Sequence, residues 1–291
     1  YGIPSLGTMA HSYVQSFDSE YDAFKSYALN YPTNTVLLVD TYDTLNQGIP
    51  NAIRIHNEVL VPMGQRLKGI RIDSGDLAYL SIKARAILDE AGLTDCKITV
   101  SNALDEHLIR DLIVSQGAKI DSFGVGERLI TARSEAVFGG VYKLSALEKN
   151  GELVPKIKIS DNPAKTTIPG FKQVYRFYDE NSMAIADVIT LHDEVIDESR
   201  PYLLFDPVFP WKEKLVSNFK AVPLLVPIFE KGTLVYNLPT LKEIRRRKEQ
   251  QFATLWKEVT RLENPHQYYV DLSKPLWDLQ QELIKKHRNI K

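Results

Sequence analysis

The sequence predicts an α/β protein in which a helix-covered parallel sheet occupies the first half of the chain. A smaller β-rich region and C-terminal helices follow. Three observations carry this expectation. Through residue 147, short apolar runs rich in β-branched residues alternate with amphipathic stretches of helical period. Each apolar run ends in a polar or glycine cluster, the texture of buried parallel strands whose C-terminal ends face a common rim. Beyond residue 147 the pattern shifts to proline-punctuated strand-like pieces and then to charged helix. The expected organisation is therefore an α/β region over 1–147 and a β-rich and helical region over 148–291.

The elements follow in order. Residues 18–29 place Tyr21, Phe24, Tyr27 and Ala28 on one helical face after Asp18 and Ser19, both good caps. Val36-Leu37-Leu38-Val39 reads as a strand ending on Asp40, and Gly69-Ile70-Arg71-Ile72 as one ending on Asp73. In 77–91 an apolar stripe of Leu77, Leu80, Ala84, Ile87 and Leu88 stops at Gly92, a C-terminal helix signal. Ile98-Thr99-Val100 ends on Ser101-Asn102; 105–116 is a second amphipathic helix closed by Gly117. Ile120 to Phe123 runs into Gly124-Val125-Gly126. In the second half, Lys156–Ile159, Val174–Tyr178 and Ile185–Leu191 read as strands of a small antiparallel region, the last two joined by a turn at Glu180-Asn181. Charged amphipathic helices are expected over 240–262 and 273–288.

Composition narrows the partners. Lys+Arg 36 against Asp+Glu 37 in 291 residues leaves a formal charge of −1, so no general field draws nucleic acid or an anionic membrane surface. Arg245-Arg246-Arg247-Lys248 is flanked by Glu243 and Glu249 and reads as a solvated helix face. No apolar run approaches the ~18 residues of a membrane span. The one cysteine, Cys96, sits in an apolar-flanked segment, reads as a small core residue rather than a reactive thiol, and suits a reducing compartment. Tyr1-Gly2-Ile3-Pro4 reads as the middle of a strand-to-loop passage without an initiator Met.

Four clusters carry candidate chemistry. In Gly7-Thr8-Met9-Ala10-His11-Ser12 the histidine suits a nucleophile or a base, and equally a satisfied loop residue. Arg71-Ile72-Asp73-Ser74-Gly75-Asp76 sets a cation for an anionic substrate beside carboxylates suited to ribose hydroxyls or Mg²⁺; an internal ion pair is the rival reading. Phe123-Gly124-Val125-Gly126-Glu127 exposes backbone N–H groups to a phosphate, or is simply a tight turn. In Asp40-Thr41-Tyr42-Asp43-Thr44, Asp40 sits at a strand end and Asp43 doubles as a helix cap.

The ordered motifs GTMAHS (7–12), LLVDTYDT (37–44), RIDSGD (71–76), SNALDE (101–106) and FGVGERLITA (123–132) together resemble nicotinate phosphoribosyltransferases. FGGVYKLSA (138–146) and IKISDNPAKTTIPGFKQVYR (157–176) look like the next segments of that family. The resemblance implies a type II phosphoribosyltransferase fold, an irregular α/β barrel of which this chain holds part. Relatives place before that part an α/β domain supplying a ring-contacting aromatic residue and a pair of arginines for the sugar diphosphate. It also implies that His11 is the histidine phosphorylated by ATP, and that Thr8 and Arg71 contact nicotinate. Asp73 and Asp76 would hold ribose hydroxyls or Mg²⁺-diphosphate. Gly124 and Gly126 would cradle the 5-phosphate, with Asp40, Ser101 and Asn102 on the same rim. Many relatives carry threonine where this chain has Glu127, and a carboxylate beside a phosphate is unfavourable, so Glu127 is not assigned to the site.

The activity implied by the resemblance is ATP-coupled transfer of phosphoribosyl from phosphoribosyl diphosphate to nicotinate, by a cytoplasmic homodimer with Mg²⁺ and without nucleic-acid or membrane partners. The rival readings are a nicotinamide-specific enzyme of the same fold and a non-catalytic fragment. If relatives' preceding domain is lacking, the chain alone is expected to aggregate or to make no nicotinate mononucleotide.

Overall fold

The computed structural model describes residues 7–137, 139–162, 165–209 and 211–288, so the Tyr1–Pro4 passage and Pro163 lie outside the described residues. Its contacts divide the chain into two compact units, Tyr1–Gly139 and Gly140–Lys291.

The first unit is built on four parallel strands, β1 (Val36–Leu38), β2 (Gly69–Ile72), β3 (Lys97–Ser101) and β4 (Ser122–Gly124), in that spatial order. Helices α1 (His11–Gln15) and α2 (Glu20–Asn30) precede the sheet; α3 (Ile49–Ile55), α4 (Leu77–Glu90) and α5 (Glu106–Arg110) fill the crossovers; α6 (Glu127–Ile130) follows β4. Caps fix the starts: Ser19 accepts from Asp22 N, Asp43 from Asn46 N, Asp76 from Tyr79 N and Asp105 from Leu108 N. Three segments, 44–48, 56–60 and 111–115, wind as wider π-helical turns. The helix expected to run unbroken over 105–116 is thus α-helical only to Arg110.

The strands are not apolar on both faces, as the sequence suggested. Ile70, Ile72, Ile98 and Val100 are fully buried in the core, whereas Arg71, Thr99 and Ser101 alternate with them on the opposite face. The register pairs Arg71 with Thr99, Thr99 with Ser122 and Ser101 with Gly124, so these residues line up across the sheet. Cys96 is fully buried, and burial pushes its thiol up to about 12, which leaves it inert.

The second unit begins with a ribbon of β5 (Ala146–Lys149) and β6 (Glu152–Pro155). The strand expected at Lys156–Ile159 is absent, because β6 ends at Pro155; Lys156 N turns instead to Ser145 O, and Lys158 O takes Thr167 N. The main sheet has six strands: β7 (Lys172–Tyr178), β8 (Ala184–Leu191), β9 (Tyr202–Phe205), β10 (Glu213–Val216), β11 (Lys220–Pro223) and, after a ribbon of β12 (Phe229–Glu230) and β13 (Thr233–Leu234), β14 (Val270–Leu272). Its order is β10-β9-β14-β8-β7-β11, antiparallel except where β14 runs parallel to β8. Phe177 and Phe219 stack at 4.1 Å in its core. Helices α7 (Leu241–Ala253), opened by a Thr240/Glu243 capping box, α8 (Lys257–Thr260) and α9 (Lys274–Arg288) complete the unit. On α7 the basic run is exposed and Arg245 pairs with Glu249 at 3.0 Å. No helix among the described residues is long and apolar enough to cross a membrane.

Candidate active site

The site grows out of the strand alternation in the first unit. A cavity of about 520 Å³ opens over the face carrying Arg71, Thr99, Ser101 and Ser122; Thr8, Phe123, Gly124 and Gly126 also line it. The charged side chain lining it is Arg71, which is 27% exposed. Arg71 Nε donates to Ser101 Oγ at 2.8 Å and Nη2 to Asp73 Oδ1 at 3.0 Å, while Nη1 has no partner among the described residues. One face of the guanidinium is thereby locked and one nitrogen is left with free donors, the arrangement that clamps a planar carboxylate.

Behind Arg71 stands a charged chain. Ser101 donates a short hydrogen bond to Asp73 Oδ1, and Asp73 Oδ2 lies 3.6 Å from His11 Nε2. The other carboxylate on Nε2 is Asp40, whose Oδ1 is 3.7 Å away. Thr41 Oγ1 meets His11 Nδ1 at 3.1 Å, so both ring nitrogens have an oxygen partner and the imidazole orientation is set. Asp40 is nearly wholly buried, its side chain 2% exposed. Its Oδ2 accepts from Asp73 N at 2.8 Å and Ser74 Oγ at 2.7 Å, but Oδ1 has no hydrogen bond. A buried, unsatisfied carboxylate oxygen aimed at a histidine is a costly arrangement that a structural role alone does not call for. Burial works to raise the Asp73 carboxyl, yet the Ser101 hydroxyl, the Arg71 guanidinium and His11 together hold it below the usual carboxylate range.

His11, Asp40, Asp73, Arg71 and Ser101 thus form one connected cluster, and Thr8, Gly124 and Gly126 share the cavity with Arg71. Thr8 donates its hydroxyl to Val36 O, which leaves its oxygen an acceptor. Asp76 and Asn102 are placed otherwise. They line a neighbouring cavity of about 380 Å³ with Gly75 and Arg128, and Asp76 spends a carboxylate oxygen capping α4 at 2.9 Å. Asn102 and Ala103 have φ of 98° and 47°, two successive residues in the left-handed region at the end of β3. Such strain at a strand end collects where a loop must be held against a ligand. Asp43 is the helix cap that the sequence left as an alternative.

Sequence reasoning assigned no role to Thr41, Ser74 or Ser122, and none to Arg128, which is paired tightly with Asp105. Thr41 and Ser74 stood inside quoted motifs, but which of their neighbours they touch is set by the fold. No cluster of three or more His, Cys, Asp or Glu suited to a metal occurs among the described residues. A divalent cation here would have to arrive on a phosphate and meet the Asp73 carboxylate, whose Oδ2 is free of hydrogen bonds and, unlike the buried Oδ1 of Asp40, partly exposed.

Comparison with known proteins supplies the family. Residues 1–195 match the nicotinate phosphoribosyltransferase (NAPRTase) family model, and residues 171–280 match the model of the nicotinate phosphoribosyltransferase C-terminal domain. The nicotinate phosphoribosyltransferase of Bacillus subtilis is 47% identical over 287 residues, 98% of this chain and 57% of that protein. The human nicotinate phosphoribosyltransferase is 28% identical, over 94% of this chain and 60% of that protein. The crystal structure of human nicotinic acid phosphoribosyltransferase superposes with a TM-score of 0.77 at 26% identity, over 97% of this chain and 62% of that one. A nicotinate-nucleotide pyrophosphorylase from Pyrococcus furiosus shares the fold, with a TM-score of 0.58 at 23% identity over 87% of this chain and 56% of that one. The chain spans a little over half the length of the relatives it matches. With two family models spanning most of its length and a helix-flanked parallel sheet bearing the site, the chain belongs to the nicotinate phosphoribosyltransferase family.

Proposed function

We propose that the protein transfers the phosphoribosyl group of phosphoribosyl diphosphate to nicotinate, with ATP hydrolysis coupled through His11. The observation that carries this is Arg71: a guanidinium braced by Ser101 and Asp73, with Nη1 unpaired, in a cavity of a size for a pyridine ring and a sugar phosphate. The names of the relatives favour nicotinate over nicotinamide, and a carboxylate is the partner a guanidinium fork prefers. A homodimeric, cytoplasmic enzyme belongs to the same proposal.

In this reading Arg71 pins the ring carboxylate and turns the ring nitrogen toward C1 of the ribose. The nitrogen lone pair forms the new bond to C1 as the bond from C1 to the diphosphate oxygen breaks, inverting the anomeric centre. Backbone N–H groups at Gly124 and Gly126 hold the 5-phosphate, so the work of the site is orientation and charge stabilisation. Asp73, on the rim of the cavity, is the residue that would hold a Mg²⁺ arriving with the diphosphate, and such an ion would supply charge neutralisation of the leaving group, whereas Asp76 is engaged in capping α4. His11, fixed between Thr41 and the two carboxylates, accepts the γ-phosphoryl group of ATP on an unprotonated ring nitrogen as the bond from phosphorus to the bridging oxygen breaks and ADP leaves. The added charge reorganises the Asp40–Asp73 pair and thereby Arg71.

The test is the ATP dependence of nicotinate mononucleotide synthesis in His11→Asn. The variant is expected to lose all stimulation by ATP and keep a slow, ATP-independent rate. Stimulation equal to that of the unmodified protein would refute the phosphoacceptor role.

A further inference from the structure

The second unit holds a buried acid that the phosphoribosyl reaction does not use. Asp271, on β14, is only 5% exposed, and its carboxylate makes neither a hydrogen bond nor an ion pair among the described residues. It lines a cavity of about 220 Å³ together with Asp206, Phe209, Lys212 and Tyr269. Asp206 Oδ1 is committed to the backbone N–H groups of Val208 and Phe209 at 2.8 and 2.9 Å. Its Oδ2 lies 3.7 Å from Lys212 Nζ. Two carboxylates therefore face one small space, and burial followed by the charge of Asp206 pushes the Asp271 carboxyl above its usual range despite Lys214 and Lys212 nearby.

Neither lysine closes on Asp271. Lys214 Nζ sits 3.8 Å above the Tyr269 ring and donates to Ile185 O at 3.3 Å. Lys212 is half exposed and leans over the Phe209 ring at 5.8 Å. The protein's own cations thus already rest on the aromatic walls, whose faces attract positive charge, while the buried anion lacks a donor. An anionic ligand would meet two carboxylates. A divalent metal would find too few oxygens, since no metal-holding cluster of three occurs among the described residues and such ions take about six or more.

We propose that this cavity is a binding site for a small organic cation, a primary ammonium on a short apolar body. Asp271 accepts the ammonium N–H in a charge-assisted hydrogen bond, Asp206 supplies the second anion, and the Phe209 and Tyr269 rings pack against the body. None of these residues enters the phosphoribosyl reading, so the two stand or fall separately. The cavity is smaller than the roughly 300–1,000 Å³ of drug-sized sites, which limits the ligand to a compact amine.

Benzylammonium is a suitable probe, titrated calorimetrically into the full chain with benzyl alcohol and benzoate as controls. The expected result is saturable one-to-one binding of the cation, a tenfold or greater loss of affinity in Asp271→Asn, and negligible binding of both controls. Asparagine matches the shape of the carboxylate, and Asp271 has no hydrogen bond among the described residues for the substitution to break, so the fold should persist. Lys212→Met removes a competing cation without touching the core and should tighten binding severalfold, giving an independent reading if the first variant is unstable. Absence of saturation, equal affinity in Asp271→Asn, benzoate binding as well as the cation, or weaker binding in Lys212→Met would each overturn the proposal.

Discussion

Gly48→Ala is the sharpest structural perturbation that the site predicts. Gly48 ends the π-helical turn after Asp43 and lies against β1; a Cβ there would sit 1.9 Å from Val39 O and 2.7 Å from Val39 C. Ordinary contact begins at 3.4 Å, so the turn and the strand end have to part by about 1.5 Å. Both partners are backbone, so no rotamer change relieves the clash. The helical φ of −61° at Gly48 makes this a purely steric cost. Overpacking that side-chain shifts can absorb costs about 1–3 kcal/mol, and a backbone collision between the buried Gly48 and Val39 should exceed that, at about 3 kcal/mol or more. Urea unfolding should show a lower midpoint with an unchanged m-value. Because Val39 precedes Asp40, the strand end carries its carboxylate away from His11, and ATP coupling should fall even where the variant remains folded. A Gly48→Ala protein with the parent's midpoint and ATP stimulation would refute the claim that this close approach sets the site.

Two further substitutions probe the charged chain. Asp40→Asn keeps an acceptor for Asp73 N and Ser74 but removes the anion facing His11. Loss of a carboxylate that orients a working histidine costs roughly 10²–10⁴ in rate, so ATP-stimulated turnover should drop on that scale while circular dichroism stays unchanged; a loss under threefold would remove Asp40 from the mechanism. Asp73 titrates below its ordinary value in the folded state, so its contribution to stability is complete above the unfolded value of about 3.9 and is lost as pH falls through the folded one. Asp73→Asn should therefore shrink the difference in urea midpoint between neutral pH and about pH 3.5, and parallel loss in both proteins would show that Asp73 is not so held.

Much of this was legible in the sequence because the signals were local. Gly69–Ile72 and the helix over 77–90 follow directly from hydrophobic period and from Asp76 and Gly92 at the ends. The convergence of Asp40 and Asp73 followed from one rule, that strand C-termini share a rim; His11 reaches them from the start of α1, which that rule does not address. Pairings across the sheet were not legible. The row of Arg71, Thr99 and Ser122 depends on register, and short mixed runs such as Ile98-Thr99-Val100 look continuous until the sheet shows which face is the core. A carboxylate at a strand end and a helix cap have the same sequence signature, and only the fold shows Asp76 capping α4 and sharing a cavity with Asn102. The strand expected at Lys156–Ile159 failed because alternation alone does not supply a partner strand, and Pro155 had already closed the ribbon.

The central claim, that Arg71 is a carboxylate clamp, is tested most directly by calorimetric titration of nicotinate and nicotinamide into the protein and its Arg71→Ala variant. The two ligands differ only in the group that the guanidinium would hold. A hydrogen bond to a charged group contributes about 1.5–3 kcal/mol against about 0.5–1.5 for a neutral one, so nicotinate should bind roughly tenfold tighter than nicotinamide. In Arg71→Ala that preference should vanish through weaker nicotinate binding, with the nicotinamide affinity little changed. Equal affinities for the two ligands in the unmodified protein, or a nicotinate preference that survives Arg71→Ala, would contradict the account.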